Sequence, residues 1–251
     1  MNQPPNIYGI IPARYQSSRY PGKALADIRG KPMFWHVYSR ARQCTSFSHI
    51  VLATDDRRIV SVAEALSVPV FMTDPNHPSG TDRVLEAAEK LKARDEDVVV
   101  NIQGDEPLLE PDMLEALIQP FGDQHVQVTT LAKQIDLQTS KNSHLVKVVM
   151  DRNGRALYFS RCPIPFDRQN TGGVYWGHIG IYAFRMKTLK QFQQLGPSDL
   201  ETMESLEQLR LLENGIPIQV VKTAYDSQGV DRPEDLKNVL AILSKDGKHE
   251  A

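Results

Sequence analysis

Ile11-Pro12-Ala13-Arg14-Tyr15-Gln16-Ser17-Ser18-Arg19-Tyr20-Pro21-Gly22-Lys23 is the stretch on which the reading of this chain turns. Just before it, Ile7-Tyr8-Gly9-Ile10-Ile11 has the make-up of a short buried strand. Pro12 cannot donate to a ladder and is expected to end that strand. Beyond the proline come the cations Arg14, Arg19 and Lys23, the hydroxyls of Ser17 and Ser18, and Gly22, with no acid before Asp27. A loop of this kind leaving an N-terminal strand suits a polyphosphate, because backbone N–H groups and cationic side chains can converge on one anion. The same composition also describes a solvated basic loop. Two familiar phosphate loops are excluded. There is no Gly-x-Gly-x-x-Gly, and Gly22-Lys23 is followed by Ala24 and has Ser17 where a Walker A loop needs its first glycine.

Outward from this loop, apolar runs rich in β-branched residues alternate with helical spacing. A helix is expected from Lys31-Pro32-Met33 through Val37 to Ala41, a strand over His49–Thr54 and a helix over Asp56–Leu66. A strand over Val68–Met72, a helix over Thr81–Ala93 and a strand over Asp97–Ile102 follow. This order argues for an α/β fold with a mainly parallel, Rossmann-like sheet. After residue 125 the rhythm changes. Val126–Leu131, Leu145–Met150, Ala156–Ser160 and His178–Phe184 read as strands without long helices between them, hence as a small antiparallel subregion over about 126–184 of one domain, 1–251. A helix over Ser198–Glu213, capped by Ser198 with Glu201 and closed by Gly215, precedes a strand over Pro217–Lys222 and a helix over Pro233–Leu243. The polar end, Lys245 to Ala251, is expected to fray.

Lys and Arg number 29 against 31 Asp and Glu, a formal net charge of −2, so there is no global basic field and no nucleic-acid partner is expected. Any anion site must be local. Cys44 and Cys162 have neither metal nor redox spacing and suit a reducing cytoplasm. No basic segment followed by an apolar run marks a signal peptide, and no uncharged apolar run is long enough for a membrane span. A soluble cytoplasmic protein is expected.

Several short motifs carry candidate chemistry. Asn101-Ile102-Gln103-Gly104-Asp105-Glu106-Pro107 follows a buried strand directly, and ligands in open α/β sheets bind at the carboxyl ends of strands. Asp105 there is a hard oxygen ligand suited to Mg²⁺ between protein and phosphates, or else an aspartate in a turn. In Gly229-Val230-Asp231-Arg232-Pro233-Glu234-Asp235, Asp231 reads equally well as a helix-start residue. Ser79-Gly80-Thr81-Asp82-Arg83 opens a helix, and Ser79 is a natural N-cap. In Gly177-His178-Ile179-Gly180-Ile181-Tyr182-Ala183-Phe184, alternation puts His178, Gly180, Tyr182 and Phe184 on one face, leaving room beside two polar rings. Glu207 stands at helical spacing from Leu200, Met203 and Leu211, so a charge is expected inside an apolar stripe, met by something polar.

Taken together, Pro-Ala-Arg-Tyr-x-Ser-x-Arg-x-Pro-Gly-Lys, Gln-Gly-Asp-Glu-Pro, Ser-Gly-Thr-x-Arg and Gly-Val-Asp-x-Pro-Glu-Asp-Leu resemble the motifs of sugar nucleotidyltransferases. In detail they are similar to those of the 3-deoxy-manno-octulosonate (Kdo) cytidylyltransferases, from about Ile10 to Leu236. The resemblance implies a nucleotide-diphospho-sugar transferase fold, a homodimer, and coupling of CTP to Kdo with release of pyrophosphate for lipopolysaccharide assembly. It implies phosphate contacts from Arg14, Ser17, Arg19 and Lys23, and nucleotide contacts from Ser79, Gly80, Arg83 and Gln103. It further implies two Mg²⁺ on Asp105 and Asp231, with Arg14, Lys23, Asp105 and Asp231 as the catalytic set. The sugar would meet Gln103, His178, Tyr182, Glu207 and Gln208, with Arg161 taking its carboxylate, a task to which the planar guanidinium fork is suited. One departure stands out. Family members have a longer segment before the histidine and a basic residue next to it, whereas here 169–177 is short and Gly177 replaces the cation. A changed pocket wall, and another ulosonic acid such as 8-amino-Kdo, are therefore expected as the alternative.

Overall fold

The elements follow in the order β1 (Ile7–Ala13), β2 (Asp27–Ile28), β3 (Lys31–Pro32), α1 (Met33–Ala41), β4 (His49–Thr54), α2 (Arg57–Ala65), β5 (Val70–Met72), α3 (Gly80–Lys90) and β6 (Val98–Asn101). Then come α4 (Pro111–Ile118), β7 (Val128–Ile135), α5 (Leu137–Ser140), β8 (Lys147–Met150), β9 (Ala156–Ser160), β10 (Tyr175–Arg185) and α6 (Met186–Gln194). The order closes with α7 (Asp199–Glu204), α8 (Leu209–Glu213), β11 (Ile218–Thr223) and α9 (Pro233–Asp246). This is a computed structural model, and it describes residues 4–17, 19–169, 171–225 and 229–246. The helix α9 carries the chain to Asp246, so the tail expected to fray is in part helical, and 247–251 lie outside the described residues, as does Ser18 of the opening loop.

The chain forms two compact units, Met1–Ala93 with Val100–Asp112 and Ser227–Ala251, and Arg94–Val99 with Met113–Asp226. In the first, β1 pairs with β4 and β4 with β5, both parallel, and Ile102 N–H donates to Ile10 C=O at 2.9 Å. The β6 run Val98-Val99-Val100-Asn101 is buried throughout, as the continuous apolar pattern of a parallel strand requires. Helix α1 buries Met33, Phe34, Val37, Tyr38 and Ala41, the stripe of a 3.6-residue period. A small antiparallel ribbon, β2 with β3, sets Ile28 and Met33 against Val230 and Val239, so the last helix closes on the first.

Pro12 does not end β1. The register with β4 runs on through Pro12↔Ala53 to Ala13↔Thr54. Backbone groups of alternate residues point to opposite neighbours, and Ile10 C=O faces Ile102; Pro12 therefore faces that same side, while Ile11 and Ala13 face β4. The donor that proline lacks is not one the β4 pairing needs.

In the second unit β7 and β10, β10 and β8, and β8 and β9 pair antiparallel, and β11 joins β7 in parallel. The expected helix over 198–213 is instead two short ones, because Ser205 takes a left-handed conformation (φ 53°) and ends α7. Glu201 accepts the Ser198 N–H at 3.1 Å and Gly215 (φ 71°) follows α8, as expected for those ends. The break abolishes the apolar stripe: Met203 is 82% exposed and Glu207 is exposed, while Leu206, Leu209 and Leu211 are buried.

Candidate active site

In the first unit the loop after β1 folds back on Tyr15, whose carbonyl accepts from Ser17 N–H (3.1 Å) and Gly22 N–H (2.7 Å). Gly22 has φ 73°, a conformation L side chains rarely adopt, and it turns the chain into Lys23. The Lys23 ammonium donates to Asp105 Oδ2 at 2.7 Å and Val230 C=O at 3.0 Å, and lies 3.5 Å from Asp231 Oδ1. Arg19 Nη1 is 3.0 Å from Asp231 Oδ2, a pair well exposed to solvent and correspondingly weak. Two carboxylates distant in sequence thus share one lysine.

The backbone holds them there. Val230 N–H donates to Asp105 C=O at 2.8 Å. Gly104 passes so close to β1 that a Cβ on it would stand 2.5 Å from the Pro12 carbonyl oxygen. The helix-start role considered for Asp231 belongs to Asp235, whose Oδ2 accepts from Asp231 N–H and Arg232 N–H, both at 2.9 Å. The Asp231 carboxylate is left to cations. A cavity of about 80 Å³ opens beside the pair, lined by Ala13, Arg14, Lys23, Gln103, Gly104 and Asp105 among others.

Arg14 Nη2 donates to His77 C=O at 3.1 Å, tying the loop to the segment before α3. There Ser79 and Asp82 form the full capping box, with Ser79 Oγ 2.6 Å from Asp82 Oδ2. The expected N-cap is therefore present, and Gly80 lies near the Pro12 ring. Arg83 is placed differently from a ligand-facing cation. Its guanidinium is enclosed, donating to Asp55 Oδ2 at 2.7 Å and to Thr73 Oγ1, so it braces the ends of β4 and β5 beneath the turn. Burial lowers its pKa, and Asp55 works against that.

In the second unit the predicted face of β10 is real. The His178 ring meets Phe159 edge-on at 4.9 Å and Tyr182 at 5.4 Å, and Tyr182 stacks on Phe184 at 5.9 Å. Gln208 Nε2 is buried without a hydrogen-bond partner among the described residues, and the buried Tyr182 hydroxyl lies within hydrogen-bonding reach of Thr130. Burial, then the Glu207 charge, raises the Tyr182 pKa, so Glu207 lies within electrostatic reach of that hydroxyl although the stripe argument for it fails. Burial also pushes the His178 ring down to about 3, so it stays neutral at ordinary pH. Arg161 is largely engaged: Nε donates to Glu204 C=O (2.7 Å), Nη2 to Ser205 C=O (3.2 Å) and Nη1 to Ser143 C=O (3.3 Å). It closes the carbonyl end of α7. Gln103 belongs to the first unit.

The chain matches the cytidylyltransferase family over residues 8–223. It belongs to that family. A 3-deoxy-manno-octulosonate cytidylyltransferase of Nitratidesulfovibrio vulgaris (strain DP4) is 58% identical over 248 residues, 97% of this chain and 98% of the relative. One of Oleidesulfovibrio alaskensis is 57% identical over 238 residues, covering 94% and 96%. Among solved structures, a CMP:2-keto-3-deoxy-manno-octonic acid synthetase complexed with CTP superposes with a TM-score of 0.92 at 42% identity, covering 96% of this chain and 99% of that one.

Against the family pattern, the absent cation at 177 does not touch the His178 face. Neighbouring residues on a strand point to opposite faces, and a Cβ on Gly177 would meet Ile135 Cγ2 at 3.1 Å and Leu145 Cδ2 at 3.3 Å. The expectation of an altered sugar-side wall from Gly177 is overturned by this packing. Two residues that hold site side chains went unread. Glu204 accepts from Ser160 Oγ (2.6 Å) and Arg161 N–H (2.9 Å), and Thr130 Oγ1 is 2.9 Å from His178 Nε2. Each is a lone polar residue whose partner is far away in sequence, and no local spacing announces it.

Proposed function

We propose that the protein couples CTP to Kdo, giving CMP-Kdo and pyrophosphate. The observation that carries this reading is the convergence of Lys23, Asp105 and Asp231 at the carboxyl end of β1, in a chain more than half identical to Kdo cytidylyltransferases. The sugar's anomeric hydroxyl attacks the α-phosphorus in line and pyrophosphate leaves from the opposite side. Lys23 and Arg14, on the wall of one cavity, supply positive charge to the phosphates, with Arg19 and Ser17 shaping the loop. Ser79 and Gly80 would line the nucleotide side with Gln103, and Arg83 would support that turn from beneath. His178, Tyr182, Glu207 and Gln208 would meet the sugar.

Asp105 and Asp231 fit a magnesium site by their donor chemistry: hard oxygens, few in number, leaving positions for water and phosphate. The described residues hold no group of three or more acidic, His or Cys side chains that could cage an ion by themselves. Bound there, Mg²⁺ would neutralise developing phosphate charge and increase the acidity of the attacking hydroxyl. The reading includes a cytoplasmic homodimer. Cys44 and Cys162 are not joined in a disulfide, which suits a reducing compartment, and the exposed side chains of Phe166 and Met203 suit a partner copy. Among the described residues no helix is long and apolar enough to cross a membrane.

Pyrophosphate release with CTP, ATP and GTP against Kdo, 8-amino-Kdo and other ulosonic acids tests the reading. Turnover is expected with CTP and Kdo. Equal turnover with ATP, or none with Kdo, overturns it. Light scattering reads the mass of the assembly.

A further inference from the structure

The strand β10 carries an irregularity beside His178. Its register with β7 steps from Ile179↔Leu131 directly to Tyr182↔Thr130, so β10 takes three steps where β7 takes one and bulges there. Bulges of this kind re-aim side chains and recur next to functional sites. Into the gap projects Thr130, fully buried. Its Oγ1 is 2.9 Å from Ile181 C=O, 3.2 Å from Ile179 C=O and 2.9 Å from His178 Nε2.

A hydroxyl has one hydrogen to donate, and the carbonyls can only accept. If that hydrogen went to Nε2, both carbonyl oxygens would stand against Oγ1 with no hydrogen between, whichever way the neighbouring Tyr182 hydroxyl turns. If it goes to a carbonyl, the lone pairs are free to accept an N–H from the ring. The second arrangement puts the hydrogen on the carbonyl side, where it is needed, and requires the proton on Nε2. The other ring nitrogen, Nδ1, then carries a lone pair, and no described residue donates to it. His178 is only half-buried by area, so that nitrogen can meet a ligand.

We propose that Thr130 is a positioning residue that holds His178 as the Nε2–H tautomer, so that Nδ1 presents an acceptor to a hydroxyl donor of the sugar acid. The ligand half of this inference rests on the reading of His178 as a sugar contact; the tautomer half does not. The low pKa of the ring agrees with a neutral imidazole whose polarity is set by its partner.

Long-range ¹H–¹⁵N correlation of the histidine rings in the ligand-free enzyme reads the tautomer directly. Nε2 is expected at its protonated shift and Nδ1 at its unprotonated shift; the reverse overturns the proposal, whatever the substrate turns out to be. In Thr130→Val, which keeps shape and removes the hydroxyl, KM for Kdo is expected to rise about tenfold, the effect of one lost hydrogen bond. KM for CTP should stay within about twofold on the same grounds. Thr130→Ser should restore both the shift and KM. A Thr130→Val enzyme with unchanged KM for Kdo, or with both KM values raised alike, overturns the positioning role. Should Thr130→Val not fold, the wild-type spectrum and Thr130→Ser decide. A wild-type enzyme inactive on Kdo but showing the Nε2–H shift would sink the functional reading and leave the tautomer assignment standing.

Discussion

The ammonium of Lys23 stands 2.7 Å from the carboxylate of Asp105, though 82 residues separate them in sequence. Both side chains are largely shielded from solvent, at 17% and 30% exposure, so the pair is not screened as surface pairs are. Asp231 completes the group at 3.5 Å. Removing Lys23 leaves the two carboxylates facing each other, and removing either carboxylate leaves the ammonium with one partner fewer.

Asp105→Asn and Asp231→Asn should each lower kcat with CTP and Kdo by at least about tenfold, since each deletes a charged partner worth roughly 1.5–3 kcal/mol. Lys23→Met should do the same and also lower Tm, because it sets two carboxylates against each other. Normal kcat in Asp231→Asn would reduce that residue to a partner of the exposed Arg19.

Gly104→Ala tests the close approach of the Asp105 turn to β1. A Cβ 2.5 Å from the Pro12 carbonyl oxygen forces backbone to move, a strain of about 1–3 kcal/mol. Both Tm and kcat should fall, because the turn that moves carries Asp105. A variant with a wild-type melting curve and full activity would show that the approach is looser than this.

Gly177→Ala should separate stability from sugar recognition. The added Cβ presses on Ile135 and Leu145, at a cost of about 1–3 kcal/mol, so Tm should fall by roughly 2–4 °C for each kcal/mol. KM for Kdo should change little, because the site of strain lies on the strand face opposite His178. A selective rise in KM for Kdo with no loss of Tm would return Gly177 to the sugar wall.

Glu86 gives the fold a titrating brace near the opening loop. Burial alone would raise its pKa, but the Lys90 ammonium, the Asp74 N–H and the His77 ring outweigh it and bring the carboxyl from 4.5 to about 2. His77 in turn offers its carbonyl to Arg14. A carboxyl depressed on folding stabilises the native state fully above its unfolded pKa, and that contribution is lost as pH falls from about 4.5 towards about 2. Glu86→Gln should therefore be less stable than wild type at neutral pH, by about 1–3 kcal/mol, and the two should converge at the acid end. Calorimetric melts across pH read this directly; a difference that persists unchanged at the acid end would deny the linkage.

Most of the order of strands and helices was legible in residue pattern alone, because burial imposes its period locally, but α4 and α6 were not among the expected helices. The Val98–Asn101 strand shows its continuous run, α1 its stripe, and Ser79 with Asp82 its cap within a few residues. The cation-rich loop and both aspartates were likewise visible as motifs. What sequence could not supply was which side of a backbone a residue faces once neighbours are chosen. Pro12 continues β1 because its missing donor points away from β4. The helix through Glu207 breaks at Ser205, where Arg161 takes up carbonyls that a longer helix would have used. Arg83 is a brace, and Asp235 rather than Asp231 receives the backbone N–H groups at the start of α9. Thr130 and Glu204 matter only through partners 48 and 44 residues away. Such contacts depend on strand register, bulge and chain reversal, and these are decided when the whole core packs, since no local period encodes them.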